Sequence, residues 1–240
     1  MGQKLALVDI ADEWIEGLLG DECAIEHLTF GADLTNLEYH YYEHVALHNL
    51  IPAAIEAEKN GADGLLLGCF YDPGLRELRE LLQMPVVGVG EATLHTAATL
   101  CAGKFSVIVG RNKWIPKMAD NARSYGLETR IASWRSLEMS VAQMDDRERA
   151  YEAIIREAKV AMEVDRTEVI CLGCTGLTGL ARRAQQELGI PVLDPVAIGL
   201  KVLEFRAELW RLQGVSHSSG SRYFCGSLFW ASKPKQAANT

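Results

Sequence analysis

The stretch Gly68-Cys69-Phe70-Tyr71-Asp72-Pro73-Gly74 follows the apolar run Gly64-Leu65-Leu66-Leu67, so that a cysteine comes directly after a predicted buried strand. The apolar spacing of Leu75, Leu78 and Leu82 then predicts a helix. Asp72 is expected to cap that helix and Pro73 to be its first residue. The sequence therefore predicts a thiol at a strand end, beside a helix N-terminus.

A second stretch, Val169-Ile170-Cys171-Leu172-Gly173-Cys174-Thr175-Gly176, has the same pattern and is also followed by helical spacing. Cys174 lies 105 positions after Cys69, and each predicted helix precedes a short apolar strand that opens with proline, at Pro85 and Pro191. Such a repeat predicts two pseudo-symmetric α/β domains, each a mostly parallel sheet flanked by helices. Ligands bind at the carboxyl ends of parallel strands, which places the active site in the cleft between the domains.

The predicted domain boundaries follow the restart of this pattern. The first domain takes residues 1–95 plus about 205–240, with strands at 5–8 and 24–30 and a helix at 42–59. The second takes residues 96–204, with strands at 105–109 and 129–134 and a helix capped by Asp146. A final helix at about 196–212 is expected to carry the chain back over the first domain, and residues 233–240 are expected to form a loose tail.

Composition restricts the class of partner. The chain has 240 residues, a formal net charge of −8, 48% hydrophobic and 23% charged residues, which is typical of a soluble globular protein. The negative charge disfavours nucleic acid and anionic membranes, so we expect a small-molecule substrate. With no leader pattern and no apolar run long enough to span a bilayer, we expect a cytoplasmic protein, and we also expect a homo-oligomer.

The six cysteines are interpreted as thiols, because three of them lie in strand-like runs of an α/β pattern. Cys171-x-x-Cys174 lacks the turn that a redox or metal half-site uses. A cysteine just before a helix N-terminus is expected to have a pKa lowered towards neutrality and then to act as a base. The alternative is that either cysteine merely fills a buried strand. Two thiols at equivalent positions favour a reaction in which one removes a proton from carbon and the other returns a proton to the opposite face, which predicts racemisation or epimerisation without a cofactor.

The chain resembles the hydantoin racemases, within the aspartate/glutamate racemase superfamily. The resemblance is carried by Gly68-Cys69-Phe70-Tyr71-Asp72-Pro73-Gly74-Leu75, Gly88-Val89-Gly90-Glu91-Ala92, Lys104-Phe105-Ser106-Val107, Asp120-Asn121-Ala122-Arg123-Ser124-Tyr125-Gly126-Leu127 and Leu172-Gly173-Cys174-Thr175-Gly176. It implies one catalytic cysteine from each domain, matched here by Cys69 and Cys174. The related arylmalonate decarboxylases keep only the second cysteine, so the presence of both favours a racemase.

The N-terminus departs from the pattern of the family. Hydantoin and allantoin racemases carry Asn-Pro-Asn followed by Ser or Thr after the first strand, whereas this chain has Asp9-Ile10-Ala11-Asp12. Asp9 is similar to the aspartate that ends the first strand of glutamate racemases, but the His that those enzymes place after the second Cys-Thr is here Gly176. The expected substrate is a hydantoin or related cyclic ureide. The alternatives are an amino-acid racemase, an arylmalonate-type decarboxylase and a silent small-molecule-binding relative.

Candidate substrate-binding residues follow predicted strand ends or adjoin the cysteines: Asp9, Phe70, Gly110, Arg111, Asn112, Thr175 and Gly176. Thr175 has helix capping as an equally good interpretation. Glu91 is interpreted either as an active-site acid or as a first-turn residue favoured by the helix dipole.

Three histidines share one predicted helix face. His40, His44 and His48 are four apart and could in principle share zinc, but such stripes are usually solvated, and no further ligand stands at a suitable spacing. We expect neither a metal site nor a cofactor.

Overall fold

The computed structural model describes residues 2–20, 23–30 and 37–218. Within these residues the strands are β1 Lys4–Val8, β2 Ala24–Leu28, β3 Gly64–Leu67, β4 Val86–Gly88, β5 Phe105–Val109, β6 Ile131–Ser136, β7 Val169–Leu172 and β8 Val192–Leu193. The α-helices are α1 Asp12–Ile15, α2 His40–Lys59, α3 Leu75–Leu81, α4 Val89–Leu100, α5 Ile115–Ser124, α6 Arg147–Val164, α7 Ala181–Leu188 and α8 Pro195–Gln213.

The strands form two four-stranded sheets with the same topology. The first has the order β2-β1-β3-β4 and the second the order β6-β5-β7-β8, and every neighbouring pair is parallel. The second order is the first with each strand number raised by four. The predicted duplicated α/β fold, with parallel sheets flanked by helices, is therefore confirmed.

Burial explains why these short runs form strands. All residues of β3, with sequence GLLL, and of β7, with sequence VICL, are buried. Strands covered by helices on both faces read as continuous apolar runs rather than as alternating ones. The edge strand β2, with sequence AIEHL, is only partly buried and carries a glutamate and a histidine. Cys69 and Cys174, which follow the interior strands β3 and β7, therefore lie at the carboxyl end of a central strand of each sheet.

The last helix returns to the first sheet. α8 packs against β3, β4 and α4, and Gly199 makes this approach close, because a Cβ there would lie 2.8 Å from Val89 Cγ1 and 3.1 Å from Leu66 Cδ1. The chain thus leaves the first sheet through α4 and comes back to it through α8. These two helices are the crossing helices of the fold.

Several local predictions are corrected by the structure. α3 begins at Leu75 rather than Pro73, and its N-cap is Gly74, in the left-handed region at φ 73°. Asp72, which we expected to cap α3, instead lies at φ 49° and binds α4. β6 begins at Ile131 rather than at residue 129, because residues 128–130 form a 3₁₀ turn.

Other predictions are confirmed or concern residues outside those that the structure describes. The Asp146 cap of α6 is confirmed, since its side chain accepts a hydrogen bond from Arg149 N. Cys23, Cys69, Cys101, Cys171 and Cys174 are free thiols. Cys225 and the predicted tail at 233–240 fall outside the residues that the structure describes. In the part of the chain described, no helix is long and apolar enough to cross a membrane.

Candidate active site

Cys69 and Cys174 begin two turns of the same kind, directly after β3 and β7. The Cys69 carbonyl accepts a hydrogen bond from Asp72 N at 2.9 Å, and the Cys174 carbonyl accepts one from Leu177 N at 3.0 Å. Each cysteine is therefore the first residue of a turn closed by the N–H group three positions later. The two halves present their thiols by the same backbone device.

The glycine before each cysteine is required by a close approach to the neighbouring strand. Gly68 N donates to Val8 O at 3.0 Å, and Gly173 N donates to Ile108 O at 2.7 Å. A Cβ on Gly68 would lie 2.2 Å from Val8 O, and one on Gly173 would lie 2.8 Å from Val109 Cγ1. The Gly-Cys pair thus reflects the geometry of the strand end, where only glycine fits.

The two thiols are close enough to interact electrostatically. Burial is the main cause of the raised pKa values of Cys69 and Tyr71; charge on Cys174 adds to the rise at Cys69, and charge on either cysteine adds to the rise at Tyr71. Both cysteines also pack against the same hydrophobic cluster of the second half. The structure therefore brings together the two residues that the sequence repeat singled out.

The expectation that a helix dipole lowers the thiol pKa values is wrong. Burial raises the pKa of Cys69 to about 12 and that of Cys174 to about 11, although a backbone N–H group opposes the rise at each sulfur, from Tyr71 and from Gly176 respectively. α3 starts six residues after Cys69, and α7 starts seven residues after Cys174. The effect of a helix dipole falls off within one turn, so desolvation dominates.

Tyr71 and Lys117 adjoin Cys69. The Lys117 ammonium lies 4.5 Å from the centre of the Tyr71 ring and forms an ion pair with Glu43. Its charge offsets a small part of the rise in the pKa of Cys69 that burial causes. Sequence reasoning missed this lysine, because it comes from α5 and carries no motif of its own. Tyr71 stands inside the stretch that identified Cys69, and that position was its only signal.

Glu38 is a further residue that the sequence did not indicate. Its carboxylate accepts hydrogen bonds from Trp114 Nε1 at 2.8 Å and from Arg111 Nη1 at 3.4 Å, and its charge raises the pKa of Tyr71. Trp114 in turn meets Tyr71 edge to face, with ring centroids 6.4 Å apart. Glu38 therefore connects Arg111, one of the predicted binding residues, to the surroundings of the thiols.

Asp72 ties the Cys69 turn to the rest of the molecule. Its carboxylate is 5% exposed and accepts hydrogen bonds from Gly90 N at 2.9 Å, Glu91 N at 2.7 Å and Tyr125 Oη at 2.7 Å. Burial raises its pKa to about 7 against the effect of these three donors. The residue holds the N-terminus of α4 and the end of α5 to one turn.

The predicted binding residues have different surroundings. Gly176 lies against Cys174, since a Cβ there would be 3.5 Å from Cys174 Sγ, and Thr175 begins the short 3₁₀ turn Thr175–Leu177, which contains Gly176. Phe70 is buried in the core cluster of the second half, which leaves its backbone rather than its ring at the site. Asp9 is exposed and accepts a hydrogen bond from Phe30 N at 3.0 Å, which joins the ends of β1 and β2.

Gly110 and Asn112 lie at the end of β5. A Cβ on Gly110 would come within 2.2 Å of Met144 Cε and 2.6 Å of the Trp114 ring, so that glycine allows the close packing of this loop. The Asn112 side chain donates to Glu138 on an exposed surface. The structure thus gives both residues local roles next to the predicted site.

Glu91, the other candidate acid, is an ion-pair residue. Arg79 Nη2 lies 2.5 Å from Glu91 Oε2. Burial alone would raise the pKa of Glu91, but the ion pair with Arg79 holds that pKa below its ordinary value. Glu91 also lines a cavity of about 220 Å³ with Val87, Ala92, His95, Thr96, Val202 and Arg206. This cavity lies between the crossing helices and is lined by neither Cys69 nor Cys174.

The histidine stripe shows no metal-binding arrangement. His44 Nδ1 contacts the His40 carbonyl at 2.8 Å, a contact within one helix face. Across residues 2–20, 23–30 and 37–218, no three His, Cys, Asp or Glu side chains are grouped so that they could hold a metal ion.

Comparison with known proteins identifies the family. A model of the Asp/Glu/Hydantoin racemase family matches residues 27–203. The hydantoin racemase of Pseudomonas sp. (strain NS671) is 34% identical over 175 residues, which cover 72% of this chain and 70% of that protein. The hydantoin racemase of Paenarthrobacter aurescens is 36% identical over 170 residues, which cover 70% of this chain and 72% of that protein.

Solved structures agree with this relationship. The allantoin racemase of Pseudomonas fluorescens superposes with a TM-score of 0.81 at 29% identity, covering 99% of this chain and 100% of that chain. Arylmalonate decarboxylase superposes with a TM-score of 0.63 at 15% identity, covering 85% and 92%, which shows a common fold alone. This chain belongs to the Asp/Glu/Hydantoin racemase family and is an isomerase of the racemase type.

Proposed function

We propose that this racemase moves the α-proton of a 5-substituted hydantoin or a related cyclic ureide with two cysteines and no cofactor. The observation that carries the proposal is the pair of equivalent Gly-Cys turns, whose thiols lie within electrostatic reach of each other. A two-base racemase needs an acid and a base of the same kind on opposite faces of one carbon. Two such turns, one from each half, supply that pair.

The raised pKa values suit the proton that must be moved. A C–H group beside a carbonyl is a weak acid, and a thiolate whose conjugate acid has a pKa of about 11 or about 12 is a stronger base than an ordinary cysteine. In one direction the Cys174 thiolate removes the α-proton and the Cys69 thiol gives its proton to the opposite face. The reaction leaves Cys69 as thiolate and Cys174 as thiol, which is the state that the other enantiomer requires.

Backbone N–H groups can hold the enolate between the two steps. Among the hydrogen bonds of the described residues, the N–H groups of Phe70 and Thr175 donate to no protein acceptor. They occupy the same place in the two turns, one residue after each cysteine. Preorganised N–H donors in a site with little water stabilise a developing oxyanion without reorganisation. We assign them to the substrate oxygens, so that Phe70 contributes through its backbone.

The charges near the thiols favour a neutral ring over a free carboxylate. Arg111 and Lys117, the two cations that act on Tyr71 or Cys69, are each paired with a glutamate, Glu38 and Glu43 respectively. A free amino acid would add a carboxylate to a site whose two nearest cations are already paired. Hydantoins and allantoin are ureides without that carboxylate, and the related enzymes above are named for them.

The test is proton NMR in D₂O with separate enantiomers of 5-substituted hydantoins, allantoin, aspartate and glutamate. Wild-type protein should exchange and invert the α-proton of a ureide. Cys69→Ala and Cys174→Ala should each lose racemisation by about 10² to 10⁴-fold, because each removes one general acid–base. Each single variant should still exchange deuterium into one enantiomer without inversion, and the two variants should prefer opposite enantiomers.

Three results would contradict parts of this proposal. Near wild-type racemisation by either variant would exclude the two-thiol mechanism. Turnover of amino acids but of no ureide would overturn the substrate class. Loss of activity after exhaustive chelation, with recovery on adding a metal ion, would overturn the cofactor-independent mechanism.

A further inference from the structure

We propose that Asn121 and Arg147 are positioning residues for the two catalytic turns, Asn121 for the Cys69 turn and Arg147 for the Cys174 turn. The inference rests on the proposed function, in which both thiols act as acid and base. Each residue is assigned to one thiol only, and this assignment can be tested without knowledge of the substrate.

The first contact is made to Tyr71, whose backbone N–H group acts on the Cys69 thiol. Tyr71 lies two positions after Cys69, and its backbone N–H opposes the rise of the thiol pKa. The carbonyl of the same residue accepts a hydrogen bond from Asn121 Nδ2 at 2.6 Å. Asn121 lies on α5 in the second half, 50 residues away along the chain. It therefore holds Tyr71 from outside the turn.

The second contact repeats this arrangement at Cys174 with a different side chain. Gly176 lies two positions after Cys174, and its N–H group opposes the rise of that thiol's pKa. The Gly176 carbonyl accepts a hydrogen bond from Arg147 Nη1 at 2.6 Å, and Arg147 Nη2 donates to the Thr178 carbonyl. One guanidinium thus spans two carbonyls of the loop. Its planar shape suits two acceptors held at a fixed separation.

Both contacts act on the part of the turn that controls the thiolate. A backbone N–H stabilises a thiolate only while it points at the sulfur, and the two residues after a strand end have no ladder to fix them. A hydrogen bond to the carbonyl of the same residue, Tyr71 or Gly176, restricts the rotation of its backbone. If Asn121 or Arg147 is lost, the N–H group should spend less time facing the sulfur, which lowers the thiolate fraction at a given pH.

The test is site-resolved alkylation by iodoacetamide between pH 7 and pH 10, with Cys69 and Cys174 quantified separately by mass spectrometry. Asn121→Ala should slow the alkylation of Cys69 by about threefold, equivalent to a pKa rise of about one unit once the higher nucleophilicity of the more basic thiolate is included, and leave Cys174 unchanged. Arg147→Met should slow Cys174 and leave Cys69 unchanged. Arg147→Lys, which keeps one charged donor, should restore part of the Cys174 rate.

Matched controls come from the same two helices. Asp120 and Arg149 are exposed neighbours of the two positioning residues, and Asp120→Ala and Arg149→Met should change neither rate. Thermal unfolding of each variant shows that the fold is kept, and Asn121→Ser offers a milder change if Asn121→Ala unfolds.

The outcomes separate positioning from a general structural role. A variant that merely loosens the site would speed alkylation by exposing the sulfur, or would change both thiols together, and either result overturns the proposal. Unchanged rates in both variants overturn it as well. If alkylation follows the expected crossover while Cys69→Ala still racemises at the wild-type rate, then the positioning roles stand and the two-thiol function fails.

Discussion

The two cysteine turns are closed by the same backbone hydrogen bond, but they are joined to the crossing helices from opposite sides. In the first half, Asp72 of the turn reaches the N-terminus of α4 and accepts hydrogen bonds from Gly90 N and Glu91 N. In the second half, the carboxylate belongs to Asp194, the N-cap of α8, and accepts a hydrogen bond at 2.7 Å from Gly179 N, in the loop that follows the turn. Either partner can supply the aspartate, because a helix N-terminus has free N–H groups and the loop has free backbone donors.

The halves also differ in where the supports of each turn come from. The Cys69 turn is held by Asn121 and Tyr125, which lie on or just after α5 in the second half. The Cys174 turn is held by Arg147 and Asp194, which belong to the same half as Cys174. The position of Cys69 therefore depends on contacts between the halves, whereas that of Cys174 depends on its own half.

The largest expected effect is on the pH dependence of activity, which tests the similarity of the two thiols. Because burial raises both thiol pKa values, to about 12 and about 11, only a small fraction is ionised near neutrality. The value of kcat/KM should rise about tenfold per pH unit, or roughly a thousandfold between pH 7 and pH 10. Enantiomer-resolved rates measure this, with the rate of the double variant Cys69→Ala/Cys174→Ala subtracted at each pH. A maximum near pH 7 would show that at least one thiol has a pKa near neutrality and would contradict the raised pKa values.

The second prediction distinguishes the two strand ends. Gly68→Ala should destabilise the protein by more than about 3 kcal/mol, since its Cβ would meet backbone, Val8 O, at 2.2 Å. Gly173→Ala should cost less, about 1 to 3 kcal/mol, because its closest contacts would be side-chain methyl groups of Val109 and Val107 at 2.8 and 2.9 Å, and the backbone, Ile108 O, would be 3.1 Å away. Urea unfolding measures both, and Gly20→Ala, with open space around its Cβ, is the control. Equal losses for both variants would show that the first strand end relaxes as easily as the second.

The third prediction concerns Asp72, whose place in the Cys174 turn is taken by Leu177, which has no carboxylate. Its pKa is raised to about 7 in the folded state, so the folded protein keeps a proton that the unfolded chain releases near pH 4. The contribution of Asp72 to the free energy of unfolding should therefore be largest below pH 4. It should fall between pH 4 and pH 7 by up to about 1.4 kcal/mol per pH unit.

Urea unfolding at pH 4.5 and pH 8 measures this contribution as the difference between wild type and Asp72→Asn. The difference should be smaller at pH 8. Tyr125→Phe removes a hydrogen bond that lowers the pKa of Asp72, so it should extend the decline to higher pH. A difference that grows with pH would reverse the sign and refute the raised pKa.

The smallest expected effect is the difference in ionisation between the two thiols. With the pKa of Cys174 raised less than that of Cys69, iodoacetamide should modify Cys174 faster at pH 8.5, by about threefold once the lower nucleophilicity of the less basic thiolate is included. Mass spectrometry of early time points gives both rates, and a substrate analogue should slow both. Faster modification of Cys69 would contradict this order of the two thiols.

The sequence by itself determined the repeated strand-Gly-Cys-turn-helix order, the parallel α/β class and the two cysteines. It could do so because a strand covered on both faces is a continuous apolar run and a strand end against a neighbour admits only glycine, and both features are local. The pairing of parallel strands then places equivalent strand ends at equivalent sheet edges. The resemblance to the racemase family rested on these same residues.

Only the tertiary structure decided what surrounds the thiols. Asp72 was expected to cap the helix that follows it, but φ 49° turns its carboxylate to α4 and Tyr125. Asn121 lies in a stretch shared with the family and Arg147 in none, but neither position indicated a contact with a cysteine turn. Their partners lie 50 and 29 residues away, so their roles depend on how the helices pack. The thiol pKa values are raised, instead of lowered as expected from the sequence, for the same reason. The dipole of a nearby helix is a local property, whereas burial is decided by every element that packs around a side chain.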